Sequence, residues 1–130
     1  MSWKIFSAGQ LREMAPANAD ASAFRALSER YWVNLVHKDH NPKLTAEMHD
    51  TEADIYLVVE GEGDLYLGGT LLDPTTPTPG QHRGSGLDGA THHALRAGDL
   101  IIIPEGTPHM VDTRNSRLVY AVIKENVAEK

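Results

Sequence analysis

Four side chains in this sequence could meet around one point and hold a cation: Glu47, His49, Asp54 and His109. Glu47 and His49 lie two apart in the extended stretch "LTAEMH", so both project from one face of a strand. Asp54 begins the next strand after the turn "DTEA", in phase with Tyr56 and Val58. His109 comes from far along the chain, just after "GDLIIIPEGTP". Carboxylate oxygen and imidazole nitrogen without sulfur suit Fe(II), Mn(II), Ni(II) or Zn(II), and two histidines with one carboxylate make the ligand set of non-haem iron facial triads. A single histidine on an apolar face is more often a hydrogen-bonded core residue, so the weight rests on spacing.

The spacing around His109 is specific. Gly98 and Asp99 turn the chain, and the strand 100–103 that follows is apolar on both faces. Pro104-Glu105-Gly106 then turns it again, with Gly106 available for a positive φ. The pattern Gly-x5-Pro-x-Gly-x2-His resembles the second signature motif of the cupin superfamily, with Thr113 where that motif usually closes in Asn. The first cupin motif, Gly-x5-His-x-His-x3 or 4-Glu-x6-Gly, is met upstream by identity at His49 and Gly61. Asn41, Glu47 and Asp54 occupy its other three places. Asn tolerates left-handed backbone better than other non-glycine residues. Glu47 exchanges one ligand type for another, and Asp54 is Glu shortened by a methylene.

The resemblance covers residues 41–113. It implies an all-β double-stranded β-helix, a jelly-roll barrel, with one divalent ion (Fe, Mn, Ni or Zn) inside. His49, His109 and Glu47 would bind that ion, with Asp54 either a fourth ligand or a hydrogen-bonding partner of one. Cupins include dioxygenases, isomerases, lyases and decarboxylases, so the fold leaves the reaction open. A metal-dependent enzyme acting on a small polar or aromatic molecule is the leading expectation. A non-catalytic, metal-free module binding a sugar or small molecule is the competing one.

The elements that must position these residues follow from periodicity. "SAGQ" at 7–10 reads as a capping box that starts a short helix ending before Pro16. "DASAFRALSERY" spaces Phe24, Leu27 and Tyr31 as a second short helix. From Tyr31 the period becomes two, and about eight short strands separated by Gly, Pro, Asn or Asp follow. The expected organisation is one domain over 1–130, with a helical segment at 1–30 and a barrel at 31–124. "VEGEGDLYLGG" reads as an exposed hairpin kept soluble by its acids. Residues 71–90, rich in Pro, Gly and Thr, read as a long loop, either a lid over the cavity or an arm on a second subunit.

Further candidates come from phase. Tyr56, in phase with Asp54, could bring its hydroxyl to the cavity as a catalytic group. His93, in phase with Leu95, is an acid/base or substrate-contact candidate. His37, in phase with Val33 and Leu35, would line the barrel and touch substrate, and Arg83 would meet an anionic one through its planar fork.

Composition narrows the classes. With 130 residues and a formal charge of −6, the chain favours one domain with one core and offers no basic patch for nucleic acid. The absence of cysteine excludes disulfides, thiolate catalysis and iron–sulfur ligation. Neither a secretory h-region nor an apolar run of roughly 20 residues is present, so a cytoplasmic protein without membrane contact is expected. Outer aliphatics on strands with two apolar faces lead to the further expectation of a homodimer.

Overall fold

A computed structural model of the chain describes residues 3–25 and 30–127. Among the described residues one helix and twelve strands follow in sequence order. The helix α1 (Ala8–Glu13) is capped by Ser7, whose hydroxyl accepts from the Gln10 amide while the Gln10 side chain accepts from the Ser7 amide. The capping box read from sequence is therefore formed, and Leu11 packs on Leu35 and Ala121 of the barrel wall.

The expected second helix is not formed where it is described. Asp20–Arg25 is strand β1, antiparallel to β2 (Tyr31–Asp39). Helical spacing is a weak prior, and here the open edge of β2 offers a ladder of hydrogen bonds instead. Leu27 lies outside the described residues.

Two sheets face each other across the core. The first runs β1, β2, β12 (Arg117–Asn126), the first half of β4 (Glu52–Leu67), then β10 (Leu100–Ile103). The second runs β9 (Thr91–Arg96), the second half of β4, β11 (His109–Asp112), β3 (Ala46–His49), β7 (Gln81–Gly84), β6 (Thr75–Thr78). All described pairings are antiparallel, which makes this a double-stranded β-helix. No described helix is long and apolar enough to cross a membrane.

The expected hairpin in "VEGEGDLYL" is one continuous strand that crosses from sheet to sheet. A register shift opposite Val119 and Tyr120 bends it, and Gly61 adopts φ 82°. A side chain there would place its Cβ 2.0 Å from the Arg117 carbonyl oxygen, so only glycine lets β12 pass this close. The left-handed residue near the start of the first motif is His40 (φ 44°), not Asn41. Asn41 instead accepts a hydrogen bond from the Lys43 amide.

Residues 71–90 are not a loop. They carry β6, β7, β8 (Gly86–Asp88) and the end of β5 (Thr70–Leu72), with β5 and β8 forming a separate two-stranded ladder. The polar composition that suggested a loop reflects a hairpin on the edge of the second sheet. One of its strands, β7, pairs directly with β3.

The inner core joins Tyr56, Val58, Leu65, Leu95, Ile103, Val111, Leu118, Tyr120 and Val122. A fully buried aliphatic of this kind contributes about 1.5–3 kcal/mol. Tyr56, Val111, Tyr120 and Val122 of this core also line the polar cavity described below.

Candidate metal centre

Strand register assembles the site. On the second sheet, Glu47 is paired with His109 of β11 on one side and Arg83 of β7 on the other, while His49 is paired with Gln81. Directly paired residues present their side chains on the same face. On the first sheet, Lys124 of β12 is paired with both Asp54 of β4 and Trp32 of β2. The two rows enclose a cavity of about 420 Å³ lined by Glu47, His49, Glu52, Asp54, Tyr56, Gln81, Arg83, His109 and Lys124, with Trp32, Asn34 and Lys38 on the β2 side.

Each imidazole is oriented by its outer nitrogen. His109 Nδ1 lies 3.0 Å from the Thr107 carbonyl oxygen, which can only accept, so Nδ1 carries hydrogen and Nε2 points inward. The Gln81 amide group donates to Glu52 at 2.7 Å, which turns its carbonyl oxygen toward His49 Nδ1 at 2.6 Å. His49 therefore also donates through Nδ1 and presents Nε2. Metal-binding histidines are fixed in this way, by a carbonyl or a carboxylate behind the ring.

Around the two Nε2 atoms stand two carboxylates. Asp54 Oδ2 is 3.4 Å from each, and Glu47 Oε2 is 3.7 Å from each. His109 Nε2 is buried and has no hydrogen-bond partner. Donor atoms of Glu47, His49 and His109 all lie within 4.8 Å of one another. A buried nitrogen that makes no hydrogen bond and meets two carboxylates only at 3.4 and 3.7 Å, in a mixed N/O set, fits a divalent ion.

The electrostatics agree. Burial alone would lower the His109 pKa, but the carboxylates of Asp54 and Glu47 outweigh it and raise it to about 9. Burial would raise Glu47, yet His109, Arg83 and His49 bring it down to about 2. Asp54, also opposed by burial, is held far below the usual carboxylate range by His109, His49 and Lys124. Two carboxylates facing buried imidazoles make a pocket that favours positive charge. Burial, followed by the neighbouring Tyr120 and the two carboxylates, pushes Tyr56 well above its ordinary value, so its hydroxyl stays a proton donor.

Of the remaining sequence candidates, Tyr56 and Arg83 are on the cavity wall. Tyr56 packs edge-on to the His109 ring, with centroids 6.4 Å apart. Arg83 Nε is 3.5 Å from Glu47 Oε1, and its Nη1 donates to the His82 carbonyl. His37 is elsewhere. Trp32, Asn34, Val36 and Lys38 take the cavity face of β2, and His37 lies on the opposite face with Leu35 beneath the amino-terminal segment. There it contacts the Ala15 carbonyl and accepts from Arg117 Nε. The phase was right and the face reversed, because the residues after α1 bury the side of β2 that looked internal. His93 is exposed: β9 pairs only with β4 among the described residues, and it leaves this side chain in solvent, away from the cavity.

Sequence reasoning missed Lys124, Gln81 and Glu52. Alternation in "YAVIK" puts Lys124 in phase with Tyr120 and Val122, which is a usable signal, but a lysine near a strand end reads as solvated. Gln81 falls in the segment 71–90, whose composition suggests a loop.

No family model matches the sequence, and no curated protein matches it. Solved structures do share its fold. A Klebsiella pneumoniae protein with a double-stranded β-helix domain aligns over 99% of this chain and 95% of its own, at TM-score 0.65 and 16% identity. The DMSP lyase DddQ of Ruegeria pomeroyi aligns over 86% of this chain at TM-score 0.57 and 18% identity, and this chain spans only 48% of that enzyme. Hydroquinone 1,2-dioxygenase from Sphingomonas, solved with 4-hydroxybenzoate bound, aligns over 90% of this chain and 71% of its own, at TM-score 0.57 and 12% identity. The chain therefore has the cupin fold that its two motifs resemble.

Proposed function

We propose that this chain is a metal-dependent enzyme acting on a small anionic molecule, polar or aromatic, held in the barrel. The observation that carries the reading is the pair of imidazoles, each locked through Nδ1 so that both Nε2 atoms converge beside Glu47, with that of His109 buried and making no hydrogen bond. A divalent ion bound there supplies Lewis acidity toward oxygen atoms of a ligand.

The chain's own residues supply the rest. Three carboxylates on the cavity wall (Glu47, Glu52, Asp54) face three cationic side chains (Lys38, Arg83, Lys124), so adding a divalent ion leaves the pocket positive and favours an anion. Arg83, about one-third exposed, stands where a ligand carboxylate would enter. Tyr56, kept neutral, can donate a proton or a hydrogen bond near His109. Similarity to both a lyase and a dioxygenase supports enzymology on this fold without choosing the bond that breaks.

Elemental analysis of protein purified without a histidine tag tests this. About one first-row divalent ion per chain is expected, taken up on incubation if lost in purification. Less than about a tenth of an equivalent after incubation with Fe, Mn, Ni and Zn refutes it. That result would favour a metal-free binding module, a reading supported by Lys124, whose ammonium already pairs with Asp54.

A further inference from the structure

Lys124 occupies an unusual place for a lysine: the wall of a cation site. Its Nζ donates to Asp54 Oδ1 at 2.8 Å, lies 3.6 Å from Glu52 Oε1, and is 3.4 Å from His49 Nε2. The side chain is only 14% exposed, so it is held there rather than resting at the rim. A ring of five side chains results. His49 donates to Gln81, Gln81 to Glu52, Glu52 faces Lys124, Lys124 donates to Asp54, and Asp54 Oδ2 returns to His49 at 3.4 Å. Both nitrogens of one imidazole belong to it.

The two carboxylates of the site are thus not equivalent. Glu47 meets a cation only at 3.5 Å and keeps Oε2 toward the imidazoles. Asp54 also turns Oδ2 toward both imidazoles, at 3.4 Å, but its Oδ1 is engaged by a short, nearly buried ion pair with the ammonium beside it. Charge repulsion from that ammonium would oppose a metal ion on the Asp54 side and favour one beside Glu47, whose donor atom lies within 4.8 Å of those of His49 and His109.

We propose that Lys124 is a positioning residue that takes Asp54 as its own counter-ion, so that a metal ion is held by Glu47, His49 and His109 alone. The aspartate standing in the carboxylate place of the first motif then serves the lysine, and the ion keeps more open positions for an incoming ligand. This rests on the metal reading above.

Co(II) titration followed by visible absorption reads the coordination directly and needs no substrate. Asp54→Asn in the otherwise intact protein is expected to cost clearly less Co(II) affinity than Glu47→Gln and to leave the spectrum in place, whereas Glu47→Gln costs at least about tenfold and shifts it. Lys124→Met frees Asp54, so affinity should rise about tenfold with a shifted spectrum, and the gain should vanish in Lys124→Met combined with Asp54→Asn. An Asp54→Asn protein that loses affinity as Glu47→Gln does overturns the proposal, as does a folded Lys124→Met protein with unchanged or weaker binding. If Lys124→Met does not fold, the Asp54→Asn comparison decides alone. Wild-type protein that binds no Co(II) at all removes the metal reading and this one together, while binding with the wrong variant pattern removes only this one.

Discussion

The Gly106 amide donates a 2.7 Å hydrogen bond to the carbonyl oxygen of His49. The corner that delivers one imidazole is thereby pinned to the strand that carries the other. The Pro-Glu-Gly turn is a spacer with a function: it sets His109 against β3, where strand pairing with Glu47 completes the row.

His109→Ala should abolish metal binding while keeping the fold, because the strands around it are held by Ile103, Val111 and Leu118 in the core. A fall of at least about 100-fold in affinity is expected, with an unchanged far-ultraviolet dichroism spectrum. Retention of full affinity would show that this histidine is a structural residue.

Much of this centre was legible from residue types and spacing. The sequence singles out Glu47, His49, Asp54 and His109 through two local motifs that resemble those of cupins, and the fold brings these four side chains together. The roles of Lys124 and Gln81 were not legible, because they arise from pairing between strands distant in sequence: Lys124 meets Asp54 across 70 residues, and Gln81 meets His49 across 32. The reversed face of His37 has the same origin. Alternation defines two faces but does not say which is inside, and here the segment after α1 made the choice. The hairpin at 75–84 was misread because an edge ladder can be built from Pro, Thr and Gly when one partner strand supplies the order.

The pH dependence follows from His109 and Glu47. In metal-free protein His109 has its pKa raised from the ordinary 6.5 to about 9, so its stabilising contribution is complete below about 6.5 and is lost as pH rises through 9. Glu47 is lowered from 4.5 to about 2, so its contribution is present above about 4.5 and is lost as pH falls toward 2. Thermal melts of metal-free protein should therefore be highest between about pH 4.5 and 6.5. Metal must displace the His109 proton, so Co(II) affinity should climb with pH until about 9, with close to one proton released per ion in neutral buffer. Affinity independent of pH from 6 to 9 would place the ion elsewhere.

Gly61 and Gly106 separate two kinds of glycine requirement. Both have positive φ, but a Cβ at Gly106 meets nothing within 4 Å, whereas one at Gly61 overlaps the Arg117 backbone. Gly106→Ala should cost about 1–2 kcal/mol from conformation alone. Gly61→Ala should cost distinctly more, about 3 kcal/mol or above, since β12 has to move. Urea unfolding of the two variants side by side checks the order.

Assembly is the last expectation, and we propose that the chain forms a homodimer through the outer face of β4 and β10. Leu57 is paired with Leu100 and Ile55 with Ile102, which places these side chains in one apolar patch. Leu100 and Ile102 are 62% and 65% exposed, while the outer face over Leu35 and Ala121 is already covered by Leu11 and Ala15. Apolar surface left contiguous on one side of a wall that is covered on the other marks a contact surface. Among described residues β10 pairs only with β4, so its second edge is also open to a partner strand. Sedimentation at micromolar concentration should show a dimer, and Leu100→Glu with Ile102→Glu should give a folded monomer with Co(II) affinity unchanged. A wild-type protein that sediments as a monomer, or a double variant that remains dimeric, rules this surface out.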